Sequence, residues 1–298
     1  MFTLRQYLLA LLDSRGLTRT LGEIDVCRDE QGRPCFSAGN SAAVFRIRLG
    51  GRIRSLRCYL RPMRHLKEIY GQRLLEKELY LHTSPETGVW VDTVLGDWIE
   101  GSTLHETVAQ AAALRDRESL QILVRLFDRL ALALVTDDRA HGDLKPENII
   151  VGDDGTLCPI DFDASYLPAF AGEISPELGT AAYQHPARTA ANFDERIDDY
   201  PAALISTALH ALAENPTLWD RYGSSDGLLY TPQRIASDPA YRETLALFEK
   251  RGMAVQYRIA QLLTAPTLRL FGLAELLAEA VREKPAARSG TETETPEL

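Results

Sequence analysis

Apolar positions follow two different periods along this chain, and the switch between them divides it. Leu4, Tyr7, Leu8, Leu11 and Leu12 recur every three or four residues, which predicts an amphipathic helix over residues 3–13, closed by Ser14-Arg15-Gly16. Strand-like segments follow. Residues 24–28 and 34–37 flank the turn Asp29-Glu30-Gln31-Gly32, and residues 44–49 and 52–60 flank Gly50-Gly51, a strong hairpin signal. Residues 63–82 predict a helix, because Leu66, Ile69, Tyr70, Leu74, Leu75 and Leu79 fall at helical spacing. Residues 89–91 and 93–99 return to strand character. The first hundred residues therefore read as an antiparallel sheet with one main helix, preceded by a helix and extra strand over residues 1–35.

Beyond Gly101 the period becomes helical. Residues 103–113, 119–135, 198–213, 241–250, 254–263 and 272–282 are expected helices. Two short strands, 149–151 and 157–160, flank Asp153-Asp154-Gly155, and residues 161–190 are expected to be loop. The tail, 285–298, alternates Thr and Glu and is expected to be disordered. The class is α+β: a small antiparallel β lobe with one main helix, then a larger, mostly helical lobe.

Composition narrows the function. Apolar residues are 45% and charged residues 25% of 298, so a packed core is expected. A net charge of -9 argues against bulk nucleic-acid or anionic-membrane partners. No apolar run approaches the length of a membrane span, and the N-terminus lacks the pattern of a signal peptide, so a cytoplasmic protein is expected. The four cysteines form no Cys-x-x-Cys pair, which argues against zinc. Cys27 and Cys35 flank a hairpin turn where a bridge would fit, but free thiols are the expectation. Arg46, Arg48, Arg52, Arg54, Arg57, Arg61 and Arg64 crowd one stretch, read as a solvated sheet face.

The chemistry concentrates in His141-Gly142-Asp143-Leu144-Lys145-Pro146-Glu147-Asn148 and, thirteen positions beyond Asn148, Asp161-Phe162-Asp163. Phosphoryl transfer needs an acid to orient the attacking hydroxyl, a cation to offset phosphate charge, and oxygen ligands for Mg²⁺. Asp143 suits the first role, Lys145 the second, and Asn148 with Asp161 the third. His141 is expected to pack and hydrogen-bond.

These residues resemble the catalytic and metal-binding loops of protein kinases. Three further segments carry the resemblance: Asp97-Trp98-Ile99-Glu100-Gly101-Ser102-Thr103-Leu104 as hinge, Gly179-Thr180-Ala181-Ala182-Tyr183-Gln184-His185-Pro186-Ala187 as the end of the activation segment, and Arg196-Ile197-Asp198-Asp199-Tyr200 opening a buried helix. The details are most similar to a divergent bacterial Ser/Thr kinase subfamily with Asp-Tyr-Asp-Gly-Met in its metal loop. The resemblance implies a bilobal protein kinase-like fold, with an N-lobe over 36–99 and a C-lobe over 100–284. It also implies ATP and Mg²⁺ as cofactors and a protein as substrate. By the same resemblance, Gly39, Asn40 and Ser41 stand where a glycine-rich loop covers the nucleotide, and Asp97 and Ile99 stand at the hinge. Arg57 replaces the nucleotide lysine. Its helix partner is expected among Glu68, Glu76 and Glu78, with Glu76 best spaced.

Three departures matter. Gly142 replaces an arginine that normally pairs with a phosphorylated activation loop, so dependence on that phosphorylation is not expected. Asp163 stands where the metal loop usually has Gly, and Ala187 where a glutamate anchors the segment. Two alternatives stay open: a pseudokinase that binds nucleotide or serves as a scaffold, favoured by Arg57 and the thin glycine loop, and a small-molecule phosphotransferase, which His-Gly-Asp also resembles.

Overall fold

The computed structural model describes residues 1–282, so the tail expected to be disordered lies outside the described residues. The chain falls into two compact units. One comprises residues 1–104, 141–179 and 190–194, and the other, among the described residues, 105–140, 180–189 and 195–282. The α+β, protein kinase-like class expected from the sequence is observed.

In the first unit, a capping box between Thr3 and Gln6 starts helix α1 (Leu4–Leu12). Strands β1 (Asp25–Val26), β2 (Phe36–Ala38), β3 (Ala42–Leu49) and β4 (Arg52–Tyr59) follow, then a five-residue helix α2 (Leu66–Tyr70), then β5 (Leu74–His82) and β6 (Gly88–Asp97). The sheet order is β1-β3-β4-β6-β5, with β2 also paired to β3. The Gly50-Gly51 turn has φ of 56° and 78°, and Leu49 pairs with Arg52. That two-residue turn needs left-handed backbone at both positions, which glycine supplies without steric cost.

Strand alternation gives the sheet two different faces. On one, Ala43, Phe45, Ile47, Leu56, Cys58, Leu79 and Leu81 pack with Tyr7, Ala10 and Leu11 of α1. A nine-residue helix is too short to persist alone, so this burial, at about 1.5–3 kcal/mol per large side chain, holds it. Tyr7 also donates its buried hydroxyl to the Tyr59 carbonyl at 2.6 Å. On the other face, Ala42, Tyr59 and Val94 meet Tyr70, Leu66, Ile69 and Phe162.

The long helix expected over 63–82 does not form. Gly71, at φ 53°, ends α2 at Tyr70, and residues 74–82 run instead as β5 against β6. Lys77 sits at φ 52° where the pairing register shifts between Leu75 and Leu79. This bulge breaks the two-residue alternation, so a strand acquires apolar spacing that imitates a helix. The outer edge of β5 is covered by residues 17–21. Tyr80 N–H donates to the Leu17 carbonyl, and the Glu78 carboxylate accepts from the N–H groups of Arg19, Thr20 and Leu21.

The crowded arginines are not one open basic face. Arg46 pairs with Glu100, Arg48 with Asp25, Arg54 with Asp97, and Arg61 with Glu177. Cys27 and Cys35 are free thiols, and the Cys35 N–H bonds the Cys27 carbonyl across the expected turn. A second, three-stranded sheet joins β7 (Gly101–Thr103), β8 (Ile149–Gly152) and β9 (Leu157–Pro159).

The second unit is helical: α3 (Leu104–Ala113), α4 (Arg117–Thr136), α5 (Asp199–Glu214), α6 (Leu218–Tyr222), α7 (Pro239–Arg251), α8 (Ala254–Leu262) and α9 (Leu273–Arg282). Helix α5 is buried along most of its length. Buried Asp128 of α4 accepts from Ser206 Oγ (2.7 Å) and His210 Nε2 (2.8 Å) of α5, tying the two helices. Segment 181–188 is anchored without a glutamate at 187. His185 donates to the Ala265 carbonyl at 3.0 Å and sets its ring against the Tyr200 edge, while Arg188 bonds the Gln184 amide oxygen.

Candidate active site

Strands β8 and β9 bring the two halves of the chemistry together. Pro146–Asn148 form a single 3-10 turn that delivers Asn148 to the start of β8, and the Asn148 carbonyl accepts from Ile160 N–H at 2.9 Å. The hairpin therefore closes with Asn148 on one arm and Asp161 just past the end of the other. Asn148 Nδ2 donates to the Asp143 carbonyl at 2.9 Å and to its carboxylate at 3.2 Å. Lys145 Nζ lies 3.4 Å from the same carboxylate. Asp143, Lys145 and Asn148 thus form one cluster. With its amide nitrogen turned to Asp143, Asn148 offers its oxygen to a cation.

His141 is buried, bonds the Ile160 carbonyl through Nε2 at 2.7 Å, and lies 5.0 Å, ring to ring, from Phe162. It pins the loop to the end of β9. Gly142 has φ +81°, and a Cβ there would meet the Ala164 carbonyl oxygen at 2.0 Å. Only glycine fits this backbone, so no larger residue could stand before Asp143 without moving the chain.

Asp161 adopts left-handed backbone, φ 67°, and leads into the 3-10 turn Phe162–Ala164. Its carboxylate is paired with the Arg57 guanidinium. Arg57 also bonds Asp163 Oδ2 through Nε (3.0 Å) and a terminal nitrogen (2.5 Å). Burial by itself would lower the affinity of Arg57 for its proton; Asp161 and Asp163 outweigh it and raise the pKa, so the group stays a cation. The other oxygen of Asp163 accepts from Tyr70 OH at 2.6 Å and Tyr59 OH at 3.1 Å. Both phenols are held neutral, mainly by burial.

Glu76 does not reach Arg57. It sits on β5, its side chain 65% exposed, 3.9 Å from Lys67. The expectation of a helical partner fails because the helix ends six residues earlier. Glu78 caps residues 19–21, and Glu68 is exposed on α2. Arg57 is taken up by Asp161 and Asp163, the latter held by the Tyr59 and Tyr70 hydroxyls, and sequence did not single these out as its partners. Tyr59 lies two positions after Arg57, hence on the same face of β4, and this was the available signal.

The remaining predicted residues lie on the sheet. Gly39, Asn40 and Ser41 make the connection from β2 to β3, with Gly39 and Asn40 exposed and Gly39 N–H bonded to the Ala42 carbonyl at 2.9 Å. Arg57 pairs in register with Val44 of β3 and Val94 of β6. Asp97 ends β6 with its side chain exposed, and Ile99 is half-buried in the link to β7. Trp98 lies under the Arg46 guanidinium, 5.6 Å from the ring centre.

A neighbouring cavity of about 310 Å³ is lined by Arg61, Met63, Arg64, Ile174, Pro176 and Glu177. The loop after β4 is tied to this segment by Arg61–Glu177 and by His65 Nε2–Glu173 at 2.9 Å, with the His65 ring against Phe170. Burial raises the Glu177 pKa; Arg61 opposes this, and the charges of Asp163, Asp161 and Asp143 reinforce it. The cavity wall therefore stands within electrostatic reach of Asp143, Asp161 and Asp163.

Among the described residues, no group of three or more His, Cys, Asp or Glu side chains could hold a metal alone. An amide oxygen and one exposed carboxylate fit Mg²⁺, which commonly takes one or two protein oxygens and completes its shell with water and phosphate.

Comparison with known proteins bears on this geometry. The chain is 28% identical to CBL-interacting protein kinase 17 of Oryza sativa subsp. japonica over 172 residues, 55% of this chain and 35% of that protein. It is 34% identical to serine/threonine-protein kinase PknL of Mycobacterium tuberculosis over 113 residues, 36% of this chain and 27% of that protein. It is 25% identical to serine/threonine-protein kinase chk1 of Schizosaccharomyces pombe over 160 residues, 52% of this chain and 31% of that protein. The similarity is to Ser/Thr protein kinases. It supports the protein kinase-like superfamily and kinase function in general. The chain spans about a third of the length of these relatives. No protein-family model matches it. No described helix is long and apolar enough to cross a membrane.

Proposed function

We propose that this protein is an ATP- and Mg²⁺-dependent protein Ser/Thr kinase of the cytoplasm, moving the γ-phosphoryl group to a hydroxyl of a protein substrate. The observation that carries this reading is the cluster of Asp143, Lys145 and Asn148 at the mouth of the β8–β9 hairpin, with Asp161 at its other arm. Asp143 orients the acceptor hydroxyl and takes its proton as transfer completes. Lys145, already drawn to the Asp143 carboxylate, offsets charge on the transferring group. Asn148 and Asp161 would hold Mg²⁺, which offsets the charge of the nucleotide phosphates. Arg57 is the cation on the nucleotide side, with the backbone of Gly39, Asn40 and Ser41 over the phosphates and Asp97 and Ile99 beside the base.

Activity without activation-loop phosphorylation belongs to the same reading. It is supported by the lack of space for a side chain at Gly142. The test is transfer of labelled phosphate from Mg-ATP to a panel of proteins by the purified chain and by Asp143→Ala. Transfer that the variant loses supports the kinase, and transfer equal in both rejects it.

A pseudokinase is favoured by one observation, the engagement of Arg57 with both metal-loop carboxylates. Mg-ATP that raises the melting temperature without turnover would establish that reading.

A further inference from the structure

We propose that Asp163 is the positioning residue for Arg57, supplying from the metal loop the counter-charge expected from a helix-borne glutamate. The inference rests on the kinase reading and concerns how its nucleotide-side cation is held.

The two carboxylates that meet Arg57 are unequal. Asp161 keeps 39% of its side chain exposed and makes one contact with the guanidinium. Asp163 keeps 3%, takes two N–H donors on one oxygen and two phenols on the other. Asp161 can turn to a metal at little cost. Asp163 cannot leave without stripping a buried guanidinium and two buried hydroxyls of their partners. Asp163 is therefore the permanent counter-ion and Asp161 the exchangeable one.

The neighbouring elements are built around this division. Tyr59 stands two residues from Arg57 on β4, and α2 ends on Tyr70, so the sheet and the stub of helix each send a hydroxyl to Asp163. The strand that replaces the rest of the helix carries Glu76 away from Arg57 and into solvent. Arginine suits the arrangement where lysine would not. Its Nε and one terminal nitrogen both donate to Asp163 while that same terminal nitrogen also reaches Asp161, a planar fork that a lysine ammonium does not reproduce.

The experiment is a double-mutant cycle on Mg-ATP affinity by calorimetry, using the full chain, Arg57→Met, Asp163→Asn and both together. Each single variant is expected to bind about 10- to 100-fold more weakly, the loss typical of one charge-assisted contact. The double variant is expected to bind no more weakly than Arg57→Met alone. In turnover, KM for ATP should rise in Asp163→Asn while KM for the acceptor stays unchanged. Tyr70→Phe, which leaves no charge unpaired, is the second variant should Asp163→Asn fail to fold. It is expected to weaken binding a few-fold in the wild-type background and not at all beside Arg57→Met. Wild-type affinity in Asp163→Asn, or losses that add in full, would overturn the inference. Failure of the wild-type chain to bind Mg-ATP at all would instead remove the function on which it rests.

Discussion

The β8–β9 hairpin and the β3–β4–β6 sheet meet in one site but have been altered to different degrees. Around the hairpin, Asp143, Lys145 and Asn148 form one cluster, and on the proposed reading they and Asp161 supply the residue types that phosphoryl transfer demands. On the sheet the cation is an arginine, the expected helix is a single turn followed by a strand, and the counter-charge arrives from the metal loop. The contrast teaches where the chemistry tolerates rebuilding. On the proposed reading, groups that touch the transferring atoms must stand at fixed places, whereas a cation that holds a phosphate from a distance needs only charge, reach and a buried partner.

That contrast can be broken most severely at Asp143. Asp143→Ala should reduce phosphoryl transfer about a thousand-fold, measured with labelled ATP, while leaving the melting temperature near that of the wild type. Gly142→Ala should lower unfolding free energy by about 3 kcal/mol in urea titration, since its Cβ would collide with the Ala164 carbonyl at strained backbone.

The helical unit offers a control with a buried acid that has no such close guanidinium. Burial pushes Asp199 up from 3.8 to about 7; the Leu270 N–H, Arg196 and Arg269 oppose the shift and Asp198 adds to it. A carboxyl raised on folding binds its proton more tightly in the native state, so its contribution is full below pH 4 and is lost as pH rises through 7. Stability of the wild type relative to Asp199→Asn should fall by about 3 kcal/mol from pH 4 to 8, read by chemical denaturation at each pH. Arg57→Lys should weaken Mg-ATP binding about tenfold in calorimetry, because an ammonium lacks the Nε donor that fixes the guanidinium on Asp163. Glu76→Ala should change neither binding nor stability by more than about 0.5 kcal/mol, as befits an exposed pair. A large effect there would restore the helical-partner expectation and erase the contrast.

The hairpin was legible in the sequence because its chemistry is local. Asp143 to Asn148 is one loop, and the β8–β9 pairing that follows sets Asp161 beside it. The two-glycine turn was legible because only glycine takes that backbone cheaply, and the C-terminal helices because their apolar period is unbroken. The sheet's contribution was not. Arg57 meets Asp163 across 106 positions, and no local pattern encodes which carboxylate a strand arginine will find. The helix over 63–82 was misread because one bulge at Lys77 turned strand spacing into helical spacing, while Gly71 carried the true stop signal. Glu78 looked like a site residue and is instead a cap for the backbone of residues 19–21.

Helix α1 has a consequence for modularity. Its Tyr7 bonds the carbonyl of Tyr59, the residue whose hydroxyl reaches Asp163, and its apolar side packs on the reverse of the same strands. The sheet is therefore not an exchangeable cassette spanning residues 36–99. Transplanted into another scaffold without residues 1–35, it would lose the wall behind β4 and the covering of β5, and the arginine would arrive without its setting.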